Sequence, residues 1–432
     1  MKITIAISVL ILAAAAGLGW QIEGRLAAAR ADEIKLVTEA ARLGISMGDA
    51  HSTRSAKRVR IDREAEARLL AIEYIQLAKA SETDRKPDEA SQTRYRDCFA
   101  RISALDGTSL KILMAELLAS PELDGKKRAE QVVHLLRMVL AKKDPRAALA
   151  FVMEHSAALK NADDIEYVIS DSLGNWAKDD PIAAVEWMKK NAAEFPAAMK
   201  VQARANVFHS TAEKDPRLAF TLIEGLGLNA SDSHSALHTI VTAAATDEQR
   251  NDTLAALREY REAHKDDMEA RQAADQMVGY FAGGFKKDGF DAGSKWLASA
   301  KLSPNELDRF CGELTGNYDG DERTQWIEWI GGNFPPGKGD QYIIRLIVRW
   351  TEQDYEDAGK WLSSAPEGPA KNAAIRGYAL TIYEHDPKTA MQWMMALPPD
   401  ERREHTLRFI LVNKLKDDPE AAAAFAKEHG IK

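Results

Sequence analysis

D-Y-E-D-A-G-K-W, running from Asp354 to Trp361, returns as D-P-K-T-A-M-Q-W from Asp386 to Trp393 and as D-P-E-A-A-A-A-F from Asp418 to Phe425. A unit that recurs at about 32 residues, with no Gly-rich or β-branched run inside it, is the mark of a helical repeat array. The residues explain the unit. Asp386, as N-cap, accepts a hydrogen bond from a free backbone N–H, and Pro387 at the first helical position gives up only a donor that would be orphaned anyway. The same proline disfavours helical backbone in the residue before it, so the dipeptide that opens one helix also closes the one ending near Glu384. Two turns on, Trp393 shares a side with Ala390. The pair is expected to act as wedge and slot against the adjoining helix, with the tryptophans packed in the core rather than stacked on sugars.

Working outward, Asp144-Pro145, Asp180-Pro181 and Asp215-Pro216 open looser copies of the same unit. Anchors fall at Phe151, Trp187, Leu222, Trp296, Trp329, Trp361, Trp393 and Phe425, at steps of about 32 to 36 except one of about 74, which conceals a degenerate copy near Leu257. Between anchors the pattern gives one return helix per unit, as at Asp163 to Ala177, Tyr342 to Glu352, Ala370 to Glu384 and Glu401 to Lys416. The connections, such as Ala365 to Pro369 and Leu397 to Pro399, are short, so the two helices of a pair are antiparallel neighbours. The fold class is therefore all-α, an α-solenoid of antiparallel helix pairs with repeats of about 32–37 residues over 144–432. The last unit, Asp418 to Lys432, has no return helix, and deletion from Asp417 onward is expected to uncover Phe409 and Leu411.

At the other end, Met1-Lys2 precedes an apolar run from Ile3 to Trp20. It reads as an export signal, either cut after a small-residue site near Ala13 to Ala16 or kept whole as a short inner-membrane anchor. The charged helical stretch that begins at Gln21 continues it without a break, which favours the anchor; Lys2 places the N-terminus inside. Residues 21–143 form an N-terminal helical region in which Gly44 to Arg63 is a basic linker, with Arg54, Lys57, Arg58 and Arg60 neutralised by Glu64 and Glu66 rather than held to lipid. Of 432 residues, 45% are hydrophobic and 29% charged, with a net charge of −8. That composition gives an exported body with a substantial core and no global pull on nucleic acid. Cys98 and Cys311 lie too many units apart for a disulfide and read as buried thiols.

Several stretches imitate chemistry. Gly332 to Gly339 matches G-x-x-x-x-G-K, but Gly339 replaces the Ser or Thr that holds Mg²⁺ and a helix precedes it, so it reads as a connecting turn. His234 and His238 would share a helix face near Asp232, yet no third or fourth zinc ligand is placed by the sequence. Asn317 to Glu322 clusters oxygens without the length or distal Glu of a calcium loop. Asp163-Asp164 and Asp417-Asp418 stand at helix starts, where capping explains them. No cofactor, metal or catalytic residue is assigned.

The W-A-x-x-D-P-x-A-A-x-x-W form at Trp176 to Trp187 resembles the repeat of exported bacterial α-helical proteins within the broad tetratricopeptide-like group of solenoids. The W-x-x-L-G-x-x-Y signature of tetratricopeptide repeats is absent. The resemblance implies a scaffold role and no catalytic residues. The expected function is thus a non-enzymatic, cell-envelope interaction module for an unknown protein or peptide partner. The alternative is an α/α-toroid enzyme acting on glycans or other envelope polymers. One binding feature is proposed by spacing: Arg345, Arg376 and Arg408, about 31 and 32 residues apart in return helices, as a row for an acidic partner. The competing reading pairs each arginine with a neighbouring carboxylate, Glu384 and Glu404 being candidates.

Overall fold

The structure, a computed structural model, describes residues 50–83, 88–159 and 164–431. The signal or anchor at 1–20 and the stretch from Gln21 to Leu43 lie outside them. Among the described residues the regular elements are helices and no strand occurs. The first are α1 (Ala50–Thr83), α2 (Glu89–Ala104), α3 (Gly107–Ala119) and α4 (Gly125–Leu135), which runs through a π turn at Leu136–Leu140 into α5 (Ala141–Lys143). There follow α6 (Pro145–Glu154), α7 (Ser156–Leu159), α8 (Ile165–Ala177), α9 (Pro181–Asn191), α10 (Val201–Ala212), α11 (Pro216–Leu226), α12 (Ala230–Thr242), α13 (Asp247–Ala263) and α14 (Met268–Asp288). The last are α15 (Phe290–Ala300), α16 (Pro304–Gly316), α17 (Arg323–Asn333), α18 (Asp340–Gln353), α19 (Tyr355–Ser364), α20 (Pro369–Ile382), α21 (Pro387–Ala396), α22 (Glu401–Phe409), a π turn at Ile410–Lys414, and α23 (Pro419–His429). No described helix is long and apolar enough to cross a membrane.

Two compact units divide the chain: Met1–Leu135 with His155–Ala162, and Leu136–Glu154 with Asp163–Lys432. The second unit takes in the π turn and α5 ahead of the Asp144-Pro145 helix, both packing against α8. A correction concerns the basic linker, which from Ala50 on is helix α1: between Gly48 and Pro87 no glycine or proline interrupts the chain. In the first unit α1 packs on α2 and α3, α3 on α4, and α4 on α7. Leu70, Ile102, Leu110, Leu113 and Met114 are buried there, and the Tyr74 hydroxyl donates to Gln131 at 2.8 Å. Both cysteines are free and buried, and burial pushes the Cys98 thiol up to about 11.

The second unit is built of pairs, each a starter helix and a return helix. Six of its starter helices open on carboxylates as the sequence requires: the side chains of Asp144, Asp180, Asp215, Asp354, Asp386 and Asp418 each accept the backbone N–H three residues on, at 2.9 to 3.1 Å. Asp354 precedes Tyr rather than Pro and still takes φ −152°, ψ 89°, close to the −141°, 78° of Asp386 before Pro387. The cap is set by the carboxylate, and proline reinforces it. The hidden copy is the pair α13 and α14, opened not by Asp-Pro but by a capping box between Thr246 and Gln249; the seventh residue after that cap is buried Thr253, and Leu257 is buried one turn further on.

The wedge is placed one residue differently from expectation. Trp187, Trp329, Trp361 and Trp393 are only half-buried, whereas the residue after each, Met188, Ile330, Leu362 and Met394, is fully buried. So are the alanines four residues after the cap, Ala148, Ala184, Ala219, Ala358 and Ala390. Positions four and eight after the cap lie along one stripe of a helix, and position seven falls on its flank. From that flank Trp361 leans on Trp350 at 5.6 Å and Trp393 on Tyr378 at 6.1 Å, rings carried by the preceding return helices. Trp296 alone among these anchor tryptophans is fully enclosed, between Phe281, Phe285 and Phe310 at 5.3 to 5.8 Å. At the end of the array Phe425 covers Tyr383 at 6.4 Å, but Phe409 is already 43% exposed in the full chain, so the last helix does not hide it.

Candidate partner-binding face

Return helices α8, α10, α12, α14, α16, α18, α20 and α22 pack one on the next as a continuous row. The most extensively packed pairs are α8 with α10, α14 with α16, and α18 with α20, and each has a helical glycine at the crossing. A Cβ on Gly174 would meet Asn206, one on Gly279 the carbonyl of Arg309, and one on Gly377 the side chain of Ile347 and the carbonyl of Ile344. Backbone thus lies on backbone along this row. Residues that point away from the core at each crossing then sit close together on the outer face.

Those residues are polar and carry the repeat. Asp171/Asn175, Gln202/Asn206, His234/His238, Gln276/Tyr280, Arg309/Glu313, Gln341/Arg345, Asn372/Arg376 and Glu404/Arg408 are pairs four apart, one on each return helix. From pair to pair the step is about 31 to 33 residues, save about 42 across the longer α13 and α14. Neighbouring rungs meet in places: Asn206 donates to Asp171 at 3.4 Å, and the ring of His238 meets that of Tyr280 edge-on at 4.5 Å. Burial first, then the neighbouring His234, hold His238 below the usual imidazole range, while Glu313 pulls it the other way.

Two polar clefts open along this face. One, of about 590 Å³, is lined by Arg137, Lys142, Asp171, Asn175, Asn206 and His209 among others; Arg137 there is tied to Asp171 at 3.4 Å and lies over the Tyr167 ring at 5.0 Å. The other, of about 380 Å³, crosses α14, α16 and α18, with Gln276, Tyr280, Arg309, Glu313, Gln341 and Arg345 in its lining. A third cleft of about 590 Å³, between Tyr355, Tyr378, Ile382, His385 and Thr389, is less polar.

The three arginines proposed from spacing do not form a free cationic row. Arg376 is buried and bonded to Asp340 at 2.5 Å, and Arg408 is bonded to Glu404 at 2.7 Å. Only Arg345 opens into a cleft, and Glu384 pairs with Lys414 instead. The spacing was real, but it marks a register: Asp340 and the Gly312 carbonyl reach Arg376 and Arg345 from the preceding return helix, and Glu404 reaches Arg408 from its own. The rungs missed upstream, Tyr280 and Glu313 above all, keep the ordinary step of about 32 to 33 residues down to Arg345 and were hidden by their unlike chemistry.

The chemical look-alikes have structural uses. Gly332 to Gly339 joins α17 to α18 as a turn, Lys338 N–H donating to the Pro335 carbonyl at 2.9 Å, with Arg402 against Gly337, whose φ is +85°. Asp319 takes the Arg349 guanidinium, and Glu322 accepts the Phe290 N–H at 2.6 Å, capping α15 where Gly289 offers no side chain. Among the described residues no three His, Cys, Asp or Glu side chains gather as metal ligands. Glu306 is buried; burial alone would raise its pKa, yet Arg258 at 2.7 Å and the Ser303 N–H bring it down to about 2. No family model, curated protein or solved structure matches this chain.

Proposed function

We propose that this protein is a non-enzymatic scaffold of the bacterial cell envelope that holds a protein or peptide partner on its return-helix face, exported and anchored through Ile3 to Trp20. The observation that carries the reading is the polar register itself: unlike side chains at one position of successive stacked helices, with two clefts cut along them. Solenoids present such extended surfaces because stacking leaves one side of every helix free. The resemblance to exported helical-repeat proteins supports the same role and the same compartment. A toroid enzyme needs uncommitted acids, whereas Glu306 and Asp340 here are held by Arg258 and Arg376.

A photo-reactive residue placed in cells at Gln276 or Gln341 is expected to give one discrete adduct, and at Ile182, exposed on starter helix α9, none. Equal labelling from both rows, or from neither, sinks the assignment of the binding face. Carbonate extraction tests the anchor: the full-length mass should stay with the membranes, and a shortened soluble form would mean the segment is removed.

A further inference from the structure

We infer that the cleft across α14, α16 and α18 takes an extended peptide by a carboxylate, with Arg309 and Arg345 as its anchors. This rests on the reading of the return-helix face as the binding face and names what that face holds. The two arginines stand on adjacent return helices and line one cleft. Most other arginines on the return helices are spent on acids, Arg204 on Asp232, Arg349 on Asp319, Arg376 on Asp340 and Arg408 on Glu404, while Arg271 and Arg403, outside the cleft, turn to the Lys265 and Leu397 carbonyls. Among the described residues Arg309 has no carboxylate within ion-pair distance, and Arg345 reaches only the Gly312 carbonyl at 3.5 Å while lying 6.0 Å from the Tyr342 ring.

The acids of the same cleft are engaged. Asp308 accepts the Tyr342 hydroxyl, and Glu313 faces Lys286 at 3.7 Å. Asp308 keeps its charge, the hydroxyl being neutral, so with Lys286 counted the cleft sets three cations, Arg309, Arg345 and Lys286, against two carboxylates in a chain whose net charge is −8, and two of the three are planar forks suited to a carboxylate. The floor suits a main chain. Gly279 and Gly312 both line it, so backbone rather than side chain lies beneath, and Gln276 and Gln341 flank it with amides that donate and accept, as a peptide unit does.

The test uses the full chain and three fluorescein-labelled peptides read by polarisation at low salt: Gly-Ser-Asp-Gly-Asp-Ser-Gly amide, its Asn-for-Asp counterpart as amide, and that counterpart with a free C-terminus. The Asp peptide is expected to bind at least tenfold tighter than the Asn amide, and to lose at least tenfold on Arg309→Glu/Arg345→Glu. Tight binding of the free-acid Asn peptide, lost on the same variant, also upholds the proposal and assigns the carboxylate to a chain terminus. Arg309→Gln/Arg345→Gln guards against misfolding, and Lys295→Glu, exposed on starter helix α15 and off the return-helix face, should leave affinity unchanged. Equal binding of the Asp and Asn amides, absence of binding at millimolar concentration, or binding retained in both double variants overturns the proposal. The adduct at Gln276 separates the two claims: its survival in the Gln double variant alongside such a failure would leave the scaffold and remove the carboxylate.

Discussion

The two rows of the second unit are made from one repeat and packed in different ways. Most starter helices are capped by an aspartate and bury a small residue at one position and a large apolar residue four further on, and a ring can fill the gap between two of them, as where Trp326 lies against Phe290 at 4.8 Å and fills the space beside Gly293. Return helices meet backbone to backbone at Gly174, Gly279 and Gly377, and their ends and caps vary. A ring between two helices tolerates exchange for another ring, whereas a backbone contact admits only glycine. The row that looks less regular in sequence is thus the more tightly constrained in space, and its free side carries the polar register.

Trp296 is where the rows lock together, and its loss should give the largest effect. Trp296→Ala is expected to cost about 4 kcal/mol, and Trp393→Ala about half of that because its ring sits on the flank. Denaturant midpoints of the two variants decide it, and equal losses would erase the distinction between wedge and flank. Gly377→Ala sharpens the return-row claim. The added carbon would stand 2.5 Å from a methyl of buried Ile347, so a destabilisation of about 2 kcal/mol is expected despite the better helix propensity of alanine. A neutral outcome would mean that α18 and α20 can slide apart.

Glu306→Gln probes the tie from return helix α16 to Arg258 on starter helix α13, with an expected loss of about 1.5 kcal/mol at neutral pH. Because the folded carboxylate titrates near 2 and an unpaired one near 4.5, the wild-type advantage is present in full above pH 4.5 and fades as pH falls toward 2. A difference that did not shrink on acidification would remove the charge from the explanation. The smallest effect has the opposite sign. Gly225, exposed on starter helix α11 with nothing near its missing Cβ, should gain about 0.7 kcal/mol on change to Ala, seen as a small rise in Tm. A loss there would show that the starter row, too, depends on glycine.

Much of this was written in the chain. Asp386, Pro387 and Ala390 determine a capped helix with a small-residue slot, because capping and the four-residue spacing are local and need no knowledge of neighbours. The degenerate copy was legible as a doubled step for the same reason, though its cap at Thr246 puts the anchor position at Thr253, four residues before Leu257. What lies at Trp393 was not, since the flank and the centre of a helical stripe differ by one residue and only the partner helix says which is buried. Arg345, Arg376 and Arg408 teach the same lesson for the site. Their spacing was fixed by the repeat, but whether each guanidinium is spent depended on Asp340, Glu404 and the Gly312 carbonyl. Two of those three acceptors belong to the preceding return helix, brought alongside by stacking. The sequence by itself determined the periods, caps and helix pairs; the tertiary structure decided which polar residues were left unpaired, because pairing is settled by what the adjacent helix brings within about 3 Å.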